Sequence, residues 1–529
     1  MTAASHDFRL YHSNALDVLA GLLAEELRTP APGQGLLQPD TILVPQVAMR
    51  RWLQATLAAR HGIAANLEFL TPGEWVSRLL DANLGASGED LDADGLQWRL
   101  YAALADPALR AAPPMAQLTA YLQGDDPLKA WGLAGELAGV FNKYQAWRRD
   151  WLLRWEAGAD PDDPQAILWR AVAAGREHRV RRIQRYLARV ESGGALPQGA
   201  PSRLFAFATL NISPDVLRVL ATQARVGTLH FYLPTPTRGY WGDLHSVAAR
   251  LRRGEDPFAE AAADNPLLRD WGAAGRDFMA LLGSYEVVHA SGEIAAYADP
   301  ERAGRAGLLQ RLQADLFHRR ALPSGDARGE VDANDPSLQF HACHTRLREL
   351  QVLHDRLRAL LEDPSFDPPL HPREIAVLAP DIDPYVPYLQ AVFAGDGGSA
   401  QAIPYALADA SPLAAEPLAG VFLRLLGLPV SRFGLDELLD LLASPLLAHA
   451  AGLEAADVER LHGWLHAAGA RWGLDAGHRE RHGAPADDAY TWQFALDRLL
   501  LGHASGTDQA IEGVAPWPDL EGGALDALD

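Results

Sequence analysis

The alternation of apolar and polar positions is most informative over Thr41–Phe69. An apolar run at Ile42–Val44 predicts a buried strand, and a short turn and a helix follow it. The apolar positions of that helix recur at helical spacing: Met49, Trp52, Leu53 and Leu57. Its outward positions are polar: Arg50, Arg51 and Gln54. Polar donors at the start of a helix after a parallel strand lie at the carboxyl edge of an α/β sheet, where ligands bind.

The same pattern predicts further elements in the first half of the chain. Phe8–Tyr11 is a short strand, and the helix after it carries Leu16, Leu19 and Leu23 on one face, capped by Ser13 or Asn14. A helix is predicted from about residue 73 to 80, and residues 86–189 are predicted to be wholly helical. We expect most tryptophans of that region to be core residues: Trp98, Trp131, Trp147, Trp151, Trp155 and Trp169. Arg203–Ala208 and Thr228–Leu233, with a helix between them, form a βαβ unit.

A second α/β pattern follows two polar linkers, 253–264 and 324–336, the second of which is the expected domain boundary. Strands are predicted at Leu338–Cys343 and Glu374–Leu378, with helices at Arg346–Leu361 and about 385–393 and an extended piece at Ala402–Leu407. From Pro412 the chain is Leu-rich and helical. No closing element is evident near residue 529, so we expect the last domain to be truncated.

Composition narrows the class of protein. A chain of 529 residues predicts about two to four domains. The formal charge of −21 argues against a protein that coats nucleic acid indiscriminately, but it leaves room for a local basic channel. No apolar run approaches a membrane span and the N-terminus lacks a signal pattern, so a cytoplasmic location is expected. Cys343 is the only cysteine, which excludes disulfides within the chain.

Lysine usage excludes a standard ATP site. The two lysines, Lys129 and Lys143, follow Leu128 and Asn142, whereas a P-loop requires Gly-Lys-Ser/Thr. Arginine, by contrast, is dense between residues 170 and 189, which indicates either a solvated helix face or a basic channel. The arginines are Arg170, Arg176, Arg179, Arg181, Arg182, Arg185 and Arg189.

The order of the strand–turn–helix units resembles the core of a superfamily 1 helicase. His12-Ser13-Asn14, in FRLYHSNALDVL, stands where the P-loop would be, and Thr209-Leu210-Asn211 stands where a Walker B strand would end in acidic residues. ILVPQVAMRRWL and LEFLTPGEW resemble motifs that contact single-stranded DNA. EIAVLAPDIDPYVPYLQAVF and AIPYAL resemble the second helicase domain, with Ala379-Pro380 in place of a phosphate-sensing arginine.

This resemblance implies an α/β fold class: a degenerate superfamily 1 helicase-like fold, with parallel sheets flanked by helices and large all-helical insertions. The expected first helicase-like domain comprises residues 1–85 and 195–325 and lacks a P-loop, with a helical insertion at 86–194. The second helicase-like domain begins at 337–411. Residues 412–529 form a second helical insertion.

Five segments together resemble the RecC family, the gamma subunit of exodeoxyribonuclease V (RecBCD): YHSNALDVL, WLQATLAARHGIAANLEF, NPLLRDWGAAGRDF, FHACHTRLRELQVLHDRL and ARWGLD. The resemblance implies a non-catalytic subunit that holds a RecB helicase-nuclease and a RecD helicase in a heterotrimer. It also implies that the chain guides the 3′-ended strand of a DNA end and scans it for the Chi signal. ATP and Mg²⁺ would be used by the partner subunits, and no cofactor is expected in this chain.

The resemblance also implies nucleic-acid-binding positions: Arg51, Thr71, Asn142, Lys143, Arg148 and Arg179. Among the positions where the family reads Chi, only Arg148 and Arg179 match the family's pattern. Pro45 and Arg51 replace glutamines, and Val47 replaces a threonine. Because glutamine pairs with adenine whereas arginine favours guanine or phosphate, we expect a channel that reads a different signal or none.

Alternatives remain open at the level of sequence. One is an AddB-type helicase or nuclease subunit whose nuclease site lies in a part that follows this chain, and another is a structural protein without DNA contact. His341, Cys343 and His344 invite a metal site, but no further ligand is indicated, so a strand-end cluster without a metal is preferred. No catalytic constellation is predicted within the chain.

Overall fold

A computed structural model of the chain describes residues 8–35, 37–86, 91–124, 126–192, 194–244, 247–254, 264–284, 292–303, 307–321, 329–394, 402–408 and 416–518. Most of the predicted linker 253–264 and the first part of the linker 324–336 lie outside these residues. The chain divides into two compact units, residues 1–339 and 340–529. Within the described residues, no helix is both long and apolar enough to cross a membrane.

The first unit is built on a six-stranded sheet with the order β3-β2-β4-β5-β1-β6. All neighbouring strands are parallel. The strands are β1 Phe8–Ser13, β2 Asp40–Leu43, β3 Leu67–Leu70, β4 Arg203–Phe207, β5 Thr228–Pro234 and β6 Gly292–Ala295. The α/β fold class predicted from the sequence is confirmed. Sequence periodicity did not indicate β3 and β6, the two edge strands.

The central strands are apolar on both faces because helices cover both sides of the sheet. Leu204 and Ala206 of β4 face one core, which also contains Trp75. Phe205 and Phe207 face the opposite core, which contains Leu53 of the second helix. Side chains alternate across a strand, so one continuous apolar run supplies both cores.

The helices of the first unit connect and cover these strands. They are α1 Leu16–Leu27, α2 Val47–His61, α3 Pro72–Leu84, α4 Ala93–Ala105, α5 Pro107–Arg110, α6 Ala116–Tyr121, α7 Pro127–Trp147, α8 Arg149–Glu156, α9 Pro164–Ala173, α10 Arg179–Leu187, α11 Pro214–Ala221, α12 Val247–Arg252, α13 Pro266–Trp271, α14 Ala273–Ser284 and α15 Leu308–Phe317. Between β3 and β4 the described chain is helical throughout its regular elements, as predicted. Helices α4 to α10 enclose their own core around Phe141 and Trp169.

The predicted cap of α1 is wrong. The N-cap is Ala15, which makes no side-chain cap hydrogen bond. Ser13 Oγ instead accepts a hydrogen bond from Ala15 N at 3.1 Å, and the Asn14 side chain bonds to Ala298. Both polar side chains are therefore used in the turn itself, and the helix begins without them.

The second unit contains two groups of helices, one within residues 346–393 and one within residues 417–505. They are α16 Arg346–Leu361, α17 Val386–Phe393, α18 Pro417–Gly427, α19 Leu435–Leu442, α20 Pro445–Ala450, α21 Ala455–Ala468, α22 Ala476–Arg481 and α23 Trp492–Ser505. Helices α16 and α17 share a small core with Ile403. Leu439, Leu465 and Leu499, from three later helices, form another.

The strands predicted at Leu338–Cys343 and Glu374–Leu378 are wrong, since neither segment pairs in a sheet and Glu374 ends a 3₁₀ helix. Residues 402–407, predicted as an extended piece, form neither a helix nor a strand. A strand requires a hydrogen-bonded neighbour, and the six-stranded ladder is confined to the first unit. Leu378 is 93% exposed, so this end of the predicted strand is not buried, whereas Ile375 packs against the core that α16 and α17 share.

Candidate nucleic-acid interface

The turn that resembles a P-loop in position is bonded to the protein's own backbone. Ser13 O accepts a hydrogen bond from Thr235 N at 2.9 Å. The Asn14 side chain donates to Ala298 O at 2.7 Å and accepts from Ala298 N at 2.9 Å. Thr209, at the end of β4, is buried and carries no carboxylate. These positions lack the amide cradle and the acidic ligands that hold a nucleotide phosphate and its magnesium ion.

The carboxyl edge of β2 and β3 brings two predicted positions close together. Val44 N donates to Leu70 O at 2.9 Å, so the residues that lead into α2 and α3 are neighbours. Arg51 is exposed at the start of α2, as predicted. The guanidinium carbon of Arg50 lies 5.7 Å from the Phe69 ring centroid. The described atoms of this edge therefore present a cation and an aromatic ring; the Val47 side chain lies outside the described residues.

Thr71 has a structural role that the sequence prediction did not include. Its hydroxyl accepts from Glu74 N at 3.2 Å, and Thr71 N donates to the Glu74 carboxylate at 2.7 Å, which together form a capping box at the start of α3. The hydrogen bond from Thr71 N holds the pKa of Glu74 below its ordinary value. A DNA contact by the Thr71 hydroxyl must therefore compete with this cap.

Asn142, Lys143 and Arg148 lie along the end of α7, and all three are exposed. Arg148 is the residue between α7 and α8, with φ −136° and ψ 41°. It donates to Trp147 O at 3.2 Å, and its guanidinium carbon lies 5.3 Å from the Trp151 ring centroid. The chain changes direction at Arg148, which directs this side chain away from the core of α4–α10.

Arg179, the first residue of α10, is half-buried and acts electrostatically on Asp215. Arg149 forms an ion pair with Asp215 at 2.7 Å, with both side chains mostly buried. Burial raises the pKa of Asp215, and the charges of Arg149 and Arg179 oppose that shift. Arg179 and the neighbour of Arg148 thus converge on one carboxylate, although 31 positions separate Arg148 from Arg179 in the sequence.

Most arginines between residues 170 and 189 have a partner within the protein, although Arg185 and Arg189 are exposed. Arg182 is 3% exposed and donates to Asp81 at 2.8 Å and to Gly85 O at 2.7 Å. Arg181 pairs with Glu156 at 2.6 Å. Arg170 and Arg189 donate to backbone carbonyls, and Arg185 pairs with Glu177. These bonds attach α10 to α3 and α8.

The expectation that most tryptophans of the helical region are core residues is wrong for three of the six. Trp98, Trp147 and Trp151 are exposed by 64%, 44% and 42%. Two of them flank Arg148. The signal was present in the sequence as WRRDW, where two tryptophans four positions apart enclose two arginines, but periodicity alone could not reveal that a helix ends between them.

One group of side chains in the described residues has metal-ligand geometry. Ligand atoms of Asp299, Glu301 and His318 lie within 4.8 Å of one another. Glu301 is also paired with Arg320, whose cation competes with a metal ion for the carboxylate. Among the residues that the structure describes, His341, Cys343 and His344 form no such group.

Comparisons with known proteins assign the family. A model described as "RecC, N-terminal domain" matches residues 8–319, and one described as "RecBCD enzyme subunit RecC fourth domain" matches 415–529. The chain is 33% identical to RecBCD enzyme subunit RecC of Escherichia coli K12, over 97% of this chain and 49% of the relative.

RecBCD enzyme subunit RecC of Haemophilus influenzae is 28% identical to the chain, over 97% of the chain and 50% of that relative. The Mycobacterium tuberculosis H37Rv protein of the same name is 29% identical, over 97% and 48%. The chain therefore spans about half the length of the curated relatives it matches. With a family model over residues 8–319 and agreement along almost the whole chain, this protein belongs to the RecC family.

Proposed function

We propose that this chain is part of the RecC-type subunit of a bacterial RecBCD-type complex, which processes double-strand DNA ends for recombinational repair in the cytoplasm. Its partners in the heterotrimer are a RecB-like helicase-nuclease and a RecD-like helicase. Family membership supports this assignment, as do the names of the relatives, each of which is called a subunit of the RecBCD enzyme.

In this proposal the chain contributes no ATP chemistry. His12-Ser13-Asn14 replaces the phosphate-binding turn, and Asn14 is engaged by the backbone of Ala298. Neither lysine belongs to a Gly-Lys-Ser/Thr motif. ATP and Mg²⁺ act in the partner subunits, and this chain serves as a scaffold and a guide for the 3′-ended strand.

The observation that carries the guiding role is the cationic surface at the end of α7. Arg148 is exposed there, beside a cleft of about 410 Å³ that Arg149, Asp215 and Arg218 also line. Asn142 and Lys143 precede it on the exposed side of the same helix. In a chain of formal charge −21, a local cluster of this kind provides contacts for a phosphate backbone.

The test is a strand-binding titration with the Arg148→Ala/Arg179→Ala double variant of the full-length chain. We expect weaker binding to single-stranded DNA and a salt dependence whose slope falls by roughly one for each lost phosphate contact. A charge-matched control is Arg154→Ala/Arg185→Ala, which removes two exposed arginines of the helical region that pair with Asp160 and Glu177. If the two double variants bind with equal affinity and equal salt slope, Arg148 and Arg179 do not contact DNA and their role is structural.

A further inference from the structure

Two large aromatic side chains are exposed where α7 meets α8. Trp147 ends α7 with 44% of its surface exposed, and Trp151 lies in the first turn of α8 with 42% exposed. Exposed tryptophans cost hydration free energy unless something covers them, and they are among the side chains most enriched at binding sites. The junction therefore carries a binding signal separate from its charge.

The position of Trp151 is fixed by its neighbours. Its ring meets the edge of the Tyr144 ring at 5.7 Å and lies 6.4 Å from the ring of Trp155, which is buried. Trp151 N donates to Arg148 O at 3.0 Å, which closes the turn between the two helices. A ring held in this way presents a rigid surface to a ligand, so little side-chain entropy is lost on binding.

Arg148 is the unneutralised cation of this junction. Its guanidinium lies against the Trp151 ring, and within the described parts of the chain it forms no ion pair with a carboxylate. The other arginines of the cleft are paired: Arg149 with Asp215 and Asp150, and Arg218 with Glu191. The cleft thus combines two aromatic surfaces with one cation available to an anion.

We propose that Trp147 and Trp151 form a base-stacking step, in which bases of a single-stranded nucleic acid lie against the indole rings while Arg148 contacts the adjoining phosphate. This inference rests on the proposed strand-guiding function and adds to it a recognition of bases through stacking. Stacking is tolerant of sequence because every base has a π-face. The step would hold the strand in position without selecting a particular base.

A protein partner is the competing occupant, because tryptophan and arginine also dominate protein interfaces. The form of the site favours a strand. Its aromatic rings lie beside a cleft and not on a flat apolar patch, and exposed polar residues, Asn142 and Lys143, continue the surface along α7. A strand requires this alternation of rings and donors along its length.

The experiment measures binding of the full-length chain to oligothymidylate and to an abasic strand of the same length. We expect Trp147→Leu and Trp151→Leu each to weaken binding to oligothymidylate about fivefold or more, because stacking is lost. Neither variant should change affinity for the abasic strand, which retains the phosphates but offers no base to stack. Trp271→Leu, at an 83% exposed tryptophan elsewhere in the same unit, is the matched control and should bind like the parent chain.

Three outcomes separate the explanations. If Arg148→Ala/Arg179→Ala weakens binding while both tryptophan variants bind normally, the stacking step is wrong and the strand-guiding function stands. If the parent chain binds neither strand, the proposed function itself fails. If the tryptophan variants lose affinity for a partner subunit while strand binding is unchanged, the junction is a protein interface and the inference is overturned. If Trp151→Leu lowers the unfolding midpoint, its loss of binding could come from a loss of structure. Trp147→Leu then provides the test of stacking, because Trp147 has no ring contact among the described residues.

Discussion

The helix α10 and the α7–α8 junction belong to the same helical region and use arginine in opposite ways. On α10, Arg182 is 3% exposed and ties the helix to α3, and Arg181 joins the carboxylate of Glu156. At the junction, Arg148 lies outward beside two exposed tryptophans. The denser arginine cluster is thus the structural one. A ligand surface is indicated by cations without carboxylate partners, and the number of cations is a poor guide.

The largest expected effect on stability is at Glu156, whose mostly buried carboxylate pairs with Arg181. The Glu156 carboxylate lies 2.8 Å from His178 Nε2 and accepts hydrogen bonds from Arg181 at 2.6 Å and Trp169 at 2.9 Å. Glu156→Gln removes the charge and places an amide N–H against a donor, which should lower the free energy of unfolding by about 3 kcal/mol. Urea titration followed by circular dichroism measures this. A loss under roughly 0.5 kcal/mol, typical of surface changes, would contradict the structural role.

The same carboxylate predicts a pH dependence. Burial raises the pKa of Glu156, but the interaction with His178 and the hydrogen bonds from Arg181 and Trp169 outweigh it and hold the pKa below the ordinary value of 4.5. A lowered pKa means that the stabilisation is fully present above about pH 4.5 and is lost as the pH falls through the folded-state value. Glu156→Gln should flatten that part of the stability profile, and an unchanged slope would argue against the ion pair.

A matched pair of substitutions sharpens the comparison between the two regions. Arg182→Met should reduce the free energy of unfolding by about 2 kcal/mol, because it leaves Gly85 O and Asp81 without their donor. Arg148→Met should change stability by less than roughly 0.5 kcal/mol but weaken binding to single-stranded DNA. Stability and binding are measured on both variants. The distinction between the regions fails if both substitutions affect the same property.

The smallest effect on stability is expected at Arg51, whose side chain is exposed on α2. The resemblance to the RecC family implies a glutamine at the position of Arg51, and on that basis we propose that the chain does not fully recognise the familiar Chi octamer. A recombination-hotspot assay with that octamer should show weak or no stimulation, and Arg51→Gln should increase the response without changing the unfolding midpoint. Full recognition by the parent protein would overturn the hypothesis of an altered signal.

The sheet of the first unit was largely predictable, whereas the second α/β pattern was not. The runs of β4 and β5 are apolar at nearly every position, which is typical of strands buried on both faces. The edge strand β6, GEIA, carries too few apolar residues to be noticed, and three of its four residues are exposed. Leu338–Cys343 shows the opposite error: its pattern suits a strand, but pairing depends on a distant segment that local sequence does not specify.

The candidate interface was also predictable only in part. Arg51, Asn142, Lys143 and Arg148 were proposed from the resemblance to a family, and the structure places all four side chains at the surface. Thr71, by contrast, closes a capping box. The tryptophans beside Arg148 were expected in the core, because a periodic pattern does not reveal where one helix ends and the next begins in a new direction.

The sequence by itself determined the α/β class, the helical region between residues 86 and 189 and the absence of a Gly-Lys-Ser/Thr motif, because these depend on local composition and periodicity. Only the tertiary structure decided which charges have partners. Arg182 and Asp81 are 101 positions apart, and Arg203 and Asp40 are 163 positions apart. Such a pairing depends on how helices cross, so the exposed, unpaired side chains that a ligand can reach are known only once the chain is folded.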